Sequence, residues 1–173
     1  KQFQDLMQRV RFSKAPVVAA PHHMALGGGF EISAPAVHRV ALGELYMGAV
    51  EIGVGLVPGA GGNLRILLNL TENSGSGRLN AFQVSQKAFE TIAFAKVSSS
   101  ADEAKHLGYL LKSDTIILNN DQRIKTAKDK ALSLIDEGYE PPKFRDDLKL
   151  PGTGGRTAIA MVVKGFKAQG KIS

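Results

Sequence analysis

Two short apolar runs, PVVAA from Pro16 to Ala20 and HRVAL from His38 to Leu42, flank three consecutive glycines, Gly27, Gly28 and Gly29. Runs this short and this apolar read as strands buried on both faces, the condition of parallel strands covered by helices. Ahead of them Phe3, Leu6, Met7 and Val10 follow the i, i+3, i+4, i+7 spacing of a helix with one buried stripe, and Pro16 then turns the chain into an extended segment. Helix, strand, glycine turn, helix and strand describe an α/β layered unit, in which ligands meet the loops that lead from strands into helices.

Further along, Leu64, Ile66, Leu67 and Leu70 predict a short helix ended by the polar loop TENSGSG, Thr71 to Gly77. A longer helix spans Phe82 to Ala95. Ser100 with Glu103 makes a capping box ahead of a helix stopped by Gly108, and the last strongly periodic helix carries Ile124, Ala127, Ala131, Leu134 and Ile135. Residues 1–138 read as the core. Residues 139–173 read as an irregular connector, Glu140 to Gly155, and a C-terminal helix over Arg156 to Gln169. There is no internal repeat.

The 173 residues suit one domain, and 43% apolar with 22% charged residues is the composition of a chain able to bury a core. The net charge of +6 favours an anionic partner. Arg9, Arg11 and Lys14 cluster without interleaved aromatic residues, which argues against nucleic acid. Cysteine is absent, so thiolate chemistry is excluded, and no sequence cluster suggests a metal. No apolar run reaches the roughly 18 residues of a membrane span, and no signal peptide opens the chain. A cytoplasmic, non-membrane protein is expected. The chain opens on Lys1 inside a helical pattern, as a piece of a longer polypeptide would.

Glycine without a Cβ lets backbone N–H groups approach a ligand, and the first N–H groups of a helix are unpaired and electropositive. The Gly28 N–H therefore suits a carbonyl oxygen that becomes negative during reaction. Glu31 falls in the first turn after it. Twenty positions on, Glu51 sits among apolar residues ahead of a second glycine-rich turn, VPGAGG. A carboxylate in such a setting expects burial, and two glutamates facing one pocket suit acid/base chemistry on a single water.

The segment PVVAAPHHMALGGGFEISAPAVHRVALGELYMGAVEIGVGLVPGAGGNLR, Pro16 to Arg65, resembles the crotonase superfamily, specifically its enoyl-CoA hydratases. Glycine run, first glutamate, second glutamate and PGAGG turn occur in the family's order and spacing. The C-terminal stretch around Asn119 to Pro142 resembles the hydratase module of bacterial multifunctional proteins that also carry a 3-hydroxyacyl-CoA dehydrogenase, such as the alpha subunit of a fatty-acid oxidation complex. The resemblance implies a crotonase-like ββα spiral, here lacking its N-terminal part. It implies that Gly28 donates an N–H to the thioester oxygen, that Glu31 acts as base on the water, and that Glu51 delivers a proton to the α-carbon. Gly59 N–H would lie near the same water. It also implies an acyl-CoA substrate, no metal or organic cofactor, NAD only in a companion dehydrogenase domain, a homo-oligomer, and a thiolase or dehydrogenase as partner.

Three positions depart from the family pattern: His23 replaces glycine, Val37 replaces aspartate, and Pro35 interrupts the helix begun by Glu31. The family's other oxyanion N–H lies in a portion that would precede Lys1, so the chain alone is expected to be poorly active. An isomerase of the same superfamily and a catalytically silent docking module are the alternatives. His22 and His23 are expected to diverge in an extended segment rather than chelate one metal. Ser98, Ser99 and Ser100 read as a helix cap, Tyr46 and Met47 as pocket wall or core, and Lys164, Lys167 and Lys171 as a solvated face.

Overall fold

The computed structural model describes residues 1–75 and 79–170. Helix α1 (Gln2–Arg11) leads into β1 (Val18–Ala19), β2 (His23–Leu26) and α2 (Gly28–Ser33), and then into β3 (His38–Leu42) and β4 (Leu45–Gly48). β3 lies between β1 and β5 (Thr115–Ile117) in one parallel sheet, while β2 and β4 pair in parallel in a second. The first two passes of the chain thus lay one strand in each sheet before entering a helix, and the third adds β5 to the first sheet alone. This is the ββα spiral that the sequence resemblance implies.

After β4 a 3-10 turn (Glu51–Val54) precedes α3 (Gly62–Ser74), α4 (Ala81–Ala93) and α5 (Ala101–Leu107). Their apolar faces close over the β2–β4 pair, burying Phe30, Leu45, Met47, Ile66, Tyr109 and Leu110. Burial of each such side chain contributes roughly 1.5–3 kcal/mol. On the other sheet α6 (Arg123–Asp136) packs against β1 and β3.

One buried ion pair links distant parts of the first sheet. Arg39 Nε lies 2.7 Å from Asp114 Oδ2, and the Arg39 N–H donates to Asp114 Oδ1 at 2.8 Å. Arg39 Nη1 also donates to the carbonyls of Ala34 and Ala36 at 3.0 and 3.2 Å, capping the end of α2. A buried charge pair persists where further hydrogen bonds satisfy it, and here only Arg39 Nη2 is left without a partner among these groups.

Several elements differ from their sequence expectations. In α1 only Met7 is buried; Phe3 and Leu6 are exposed along an open groove of about 570 Å³ between α1, β2 and α2. PVVAA contributes a strand of just Val18 and Ala19, each half-buried. Helix α3 runs through the predicted loop to Ser74, whose hydroxyl donates to Leu70 C=O, while Ser76 and Gly77 of that loop lie outside the described residues. Ser100 caps α5 as expected, but Glu103 reaches back to Ser99 rather than to Ser100; the reciprocal capping box belongs to Asn80 and Gln83 at α4. Helix α7 (Gly152–Ala168) begins four residues before the predicted Arg156, and Phe166 anchors it edge-on to Phe94 at 5.2 Å. His22 and His23 do not diverge: His23 has φ of 48°, which leaves the extended region and sets the two rings edge to face at 4.9 Å. Tyr46 is exposed and Met47 is core. Lys164 and Lys167 are exposed; Lys171 lies outside the described residues.

Candidate active site

The site is built where β2 and β4 end. Their register runs in step from His23 opposite Leu45 to Leu26 opposite Gly48. Because the strands are parallel, the loops that leave them emerge at the same end. The Gly27 N–H donates to Gly48 C=O at 2.8 Å and extends the pairing by one bond.

Gly27 then turns the chain with φ 53° and ψ −119°, a conformation that only glycine adopts without strain, and α2 starts. The first bond of this helix is Glu31 N–H to Gly27 C=O at 3.0 Å, so the N–H groups of Gly28 and Gly29 have no partner within it. Gly28 is exposed, and among the described residues no acceptor meets its N–H. An unpaired donor at a helix tip is the geometry that the sequence assigned to Gly28.

Glu31 follows on the buried face of α2, 6% exposed. Its Oε1 accepts the N–H of Ala60 at 2.8 Å and the N–H of Gly62 at 3.0 Å. The second glycine turn therefore grips the first acid and fixes its orientation. Close approach of that turn requires glycine: a Cβ on Gly62 would lie 3.0 Å from both Glu31 Oε1 and Phe30 Cε1.

Glu51 opens the 3-10 turn after β4. Its Oε1 rests against the glycine turn, 3.4 Å from where a Cβ on Gly27 would stand. Its Oε2 is buried and has no hydrogen-bond partner. The carboxylate of Glu31 is thus held by the second glycine turn, while that of Glu51 leans on the first and keeps one buried oxygen unpaired.

The sequence resemblance implies that the Gly59 N–H lies near the water held by these acids. The structure puts Gly59 in the second turn, exposed, with its carbonyl accepting from Gln4 Nε2 of α1 at 2.5 Å. The amides that reach the Glu31 carboxylate are those of Ala60 and Gly62. Backbone donors at Gly59, Ala60, Gly61 and Gly62 are legible in the sequence, but which of them faces inward is set by the turn, where Gly61 adopts φ 110°.

Behind Glu31 lies a cavity of about 40 Å³ whose wall includes Arg11 and Arg65. Burial, with the like charges of Arg11 and Arg39 adding, lowers the Arg65 guanidinium to about 10. Tyr109, fully buried, was not singled out from sequence. Burial pushes its hydroxyl up to about 12; the Ala49 N–H pulls against this and the Glu51 carboxylate adds to it. Among the described residues no group of three or more potential metal ligands occurs, and no helix is long and apolar enough to cross a membrane.

No family model matches the chain. Over all 173 residues it is 43% identical to a probable 3-hydroxyacyl-CoA dehydrogenase of Bacillus subtilis, of which it spans 21%. Over 130 residues, 75% of its length, it is 28% identical to a short-chain-enoyl-CoA hydratase of Clostridium acetobutylicum, of which it spans 43%. The crystal structure of an enoyl-CoA hydratase from Thermoplasma volcanium matches 96% of the chain and 61% of its own, with TM-score 0.59 and 22% identity. The chain spans less than half the length of both of these curated relatives.

Proposed function

The chain belongs to the crotonase superfamily, and from that premise we propose that it is an enoyl-CoA hydratase module of a longer β-oxidation polypeptide, adding water to trans-2-enoyl-CoA. The observation that carries this reading is an unpaired amide at the tip of α2, with Glu31 one turn further along the same helix and the Glu51 carboxylate packed against Gly27 at its start. One of the two acids, Glu51, keeps a buried oxygen with no protein partner.

In this reading the Gly28 N–H binds the thioester oxygen and stabilises the negative charge that collects there as water adds to the β-carbon. Glu31, oriented by Ala60 and Gly62, takes a proton from that water. Glu51 delivers a proton to the α-carbon as the enolate collapses. Transfer between the acids then restores the starting state, so neither metal nor organic cofactor is required. CoA enters as part of the substrate, and NAD belongs to a companion dehydrogenase domain. A dehydrogenase or thiolase partner, assembly as a homo-oligomer and a cytoplasmic location complete the proposal.

Glu31→Gln and Glu51→Gln in the longer polypeptide test it with crotonyl-CoA. Each is expected to lower kcat by at least about 100-fold, the usual size of an acid/base contribution. Unchanged hydration in both variants removes the acid/base reading and leaves the docking module. Faster isomerisation of a 3-enoyl-CoA than hydration of the 2-enoyl isomer moves the assignment to an isomerase. The 173-residue chain by itself is expected to hydrate crotonyl-CoA far more slowly than the longer polypeptide.

A further inference from the structure

Tyr109 is a fully buried phenol that hydrogen-bonds the segment between β4 and Glu51. It follows Gly108, whose φ of 86° ends α5 and turns the chain inward. Its hydroxyl accepts the N–H of Ala49 at 3.2 Å and donates to the carbonyl of Lys96 at 2.5 Å. Ala49 lies between the end of β4 and Glu51. The bond to Lys96 completes a seam in which Ser98 N–H donates to Met47 C=O at 2.9 Å and Ser98 Oγ accepts Met47 N–H at 3.0 Å. Along this seam β4 is held by backbone and serine; past Gly48, the phenol holds it.

The other side of the same ring meets the first acid. Tyr109 packs edge-on against Phe30, with centroids 5.0 Å apart at 70°, and both are fully buried. Phe30 precedes Glu31 in the chain, and it also backs Gly62, one of the two amide donors to Glu31. One side chain therefore touches the backbone leading to Glu51 and the ring adjoining Glu31.

We propose that Tyr109 is a positioning residue for both carboxylates, acting on Glu51 through Ala49 and on Glu31 through Phe30. Its role in catalysis rests on the hydratase reading; its mechanical role does not. A phenylalanine at this position keeps the ring against Phe30 and removes the hydroxyl's bonds to Ala49 and Lys96. Glu51 then loses its fixed approach while substrate-binding groups stay in place.

The test is Tyr109→Phe, with kinetics on crotonyl-CoA and carboxyl NMR of protein labelled at glutamate Cδ. The expected result is a fall in kcat of about tenfold with KM changed less than about twofold, as misplacement of a reacting group produces. The Glu51 resonance, assigned through Glu51→Gln, shifts, while that of exposed Glu44 at the far end of β4 does not. Wild-type kcat together with an unmoved Glu51 resonance overturns the proposal. If Tyr109→Phe does not fold, Phe30→Leu decides through the Glu31 resonance and the same split between kcat and KM; wild-type values there overturn it. A wild-type longer polypeptide that fails to hydrate crotonyl-CoA rejects the hydratase reading alone, since the resonances still report on Tyr109.

Discussion

Ala60 donates its N–H to Glu31 Oε1 at 2.8 Å across 29 positions of sequence, so that the second glycine turn closes directly on the first acid. The closure depends on the absence of a side chain at Gly62. Gly62→Ala would place a methyl 3.0 Å from both Glu31 Oε1 and Phe30 Cε1. Because Phe30 is fully buried, the variant is expected to lose about 1–3 kcal/mol of stability and, in the hydratase reading proposed above, most of its activity. Urea unfolding and crotonyl-CoA hydration measure the two effects separately.

Gly27→Ala acts by another route. Its contact with Glu51 Oε1, at 3.4 Å, is ordinary, but φ of 53° with ψ of −119° is closed to residues with a Cβ. The expected cost is about 1–3 kcal/mol of strain, relieved by moving the start of α2 and with it the Gly28 amide. Weaker binding of an enolate-like acyl-CoA analogue, measured by calorimetry, would report that movement; unchanged affinity would refute it.

Asp114→Asn leaves the Arg39 guanidinium buried beside a neutral partner. Breaking a buried pair from one side costs about 3–5 kcal/mol, so this variant is expected to be among the least stable single substitutions in the chain. Replacing both members, Arg39→Met with Asp114→Leu, is expected to recover part of the loss. Denaturant midpoints of the three proteins decide it.

Alkaline pH should weaken the fold through Tyr109. Its hydroxyl is raised to about 12 from the ordinary 10, so the unfolded chain gives up this proton first and deprotonation favours unfolding. The contribution, roughly 3 kcal/mol by linkage, is complete below pH 10 and lost as the pH rises from there to about 12. Unfolding of wild type and Tyr109→Phe between pH 8 and pH 11.5 is expected to show a steeper alkaline loss in wild type only. Parallel profiles would contradict the burial of this hydroxyl.

The helices were legible in the sequence because their signal is local. Apolar spacing revealed α3, α4 and α6, and Gly108 revealed the end of α5. β2 and β4 were not: HMAL and LYMG lack both alternation and β-branched residues, and each becomes a strand only by pairing with the other. The same distinction holds in the site. Gly28, Glu31 and Glu51 stand out through glycine runs and an acid in apolar surroundings, whereas Arg39 and Asp114 meet across 75 positions and Tyr109 meets Ala49 across 60. Nothing local marks such partners. Helix α7 starts early, through Gly152, Gly154 and Gly155, because Gly155 packs against Pro151 and Phe82, and intrinsic helix propensity yields to that contact.

The step-for-step match of β2 with β4 makes the sheet a shared ruler for the two acids. Each residue of a strand advances the chain by about 3.3 Å and reverses the side on which the next group emerges. Removing a single residue from within LYMG would drag the Glu51 turn back by one notch and send its neighbours to the opposite face, leaving two intact loops that no longer address the same molecule.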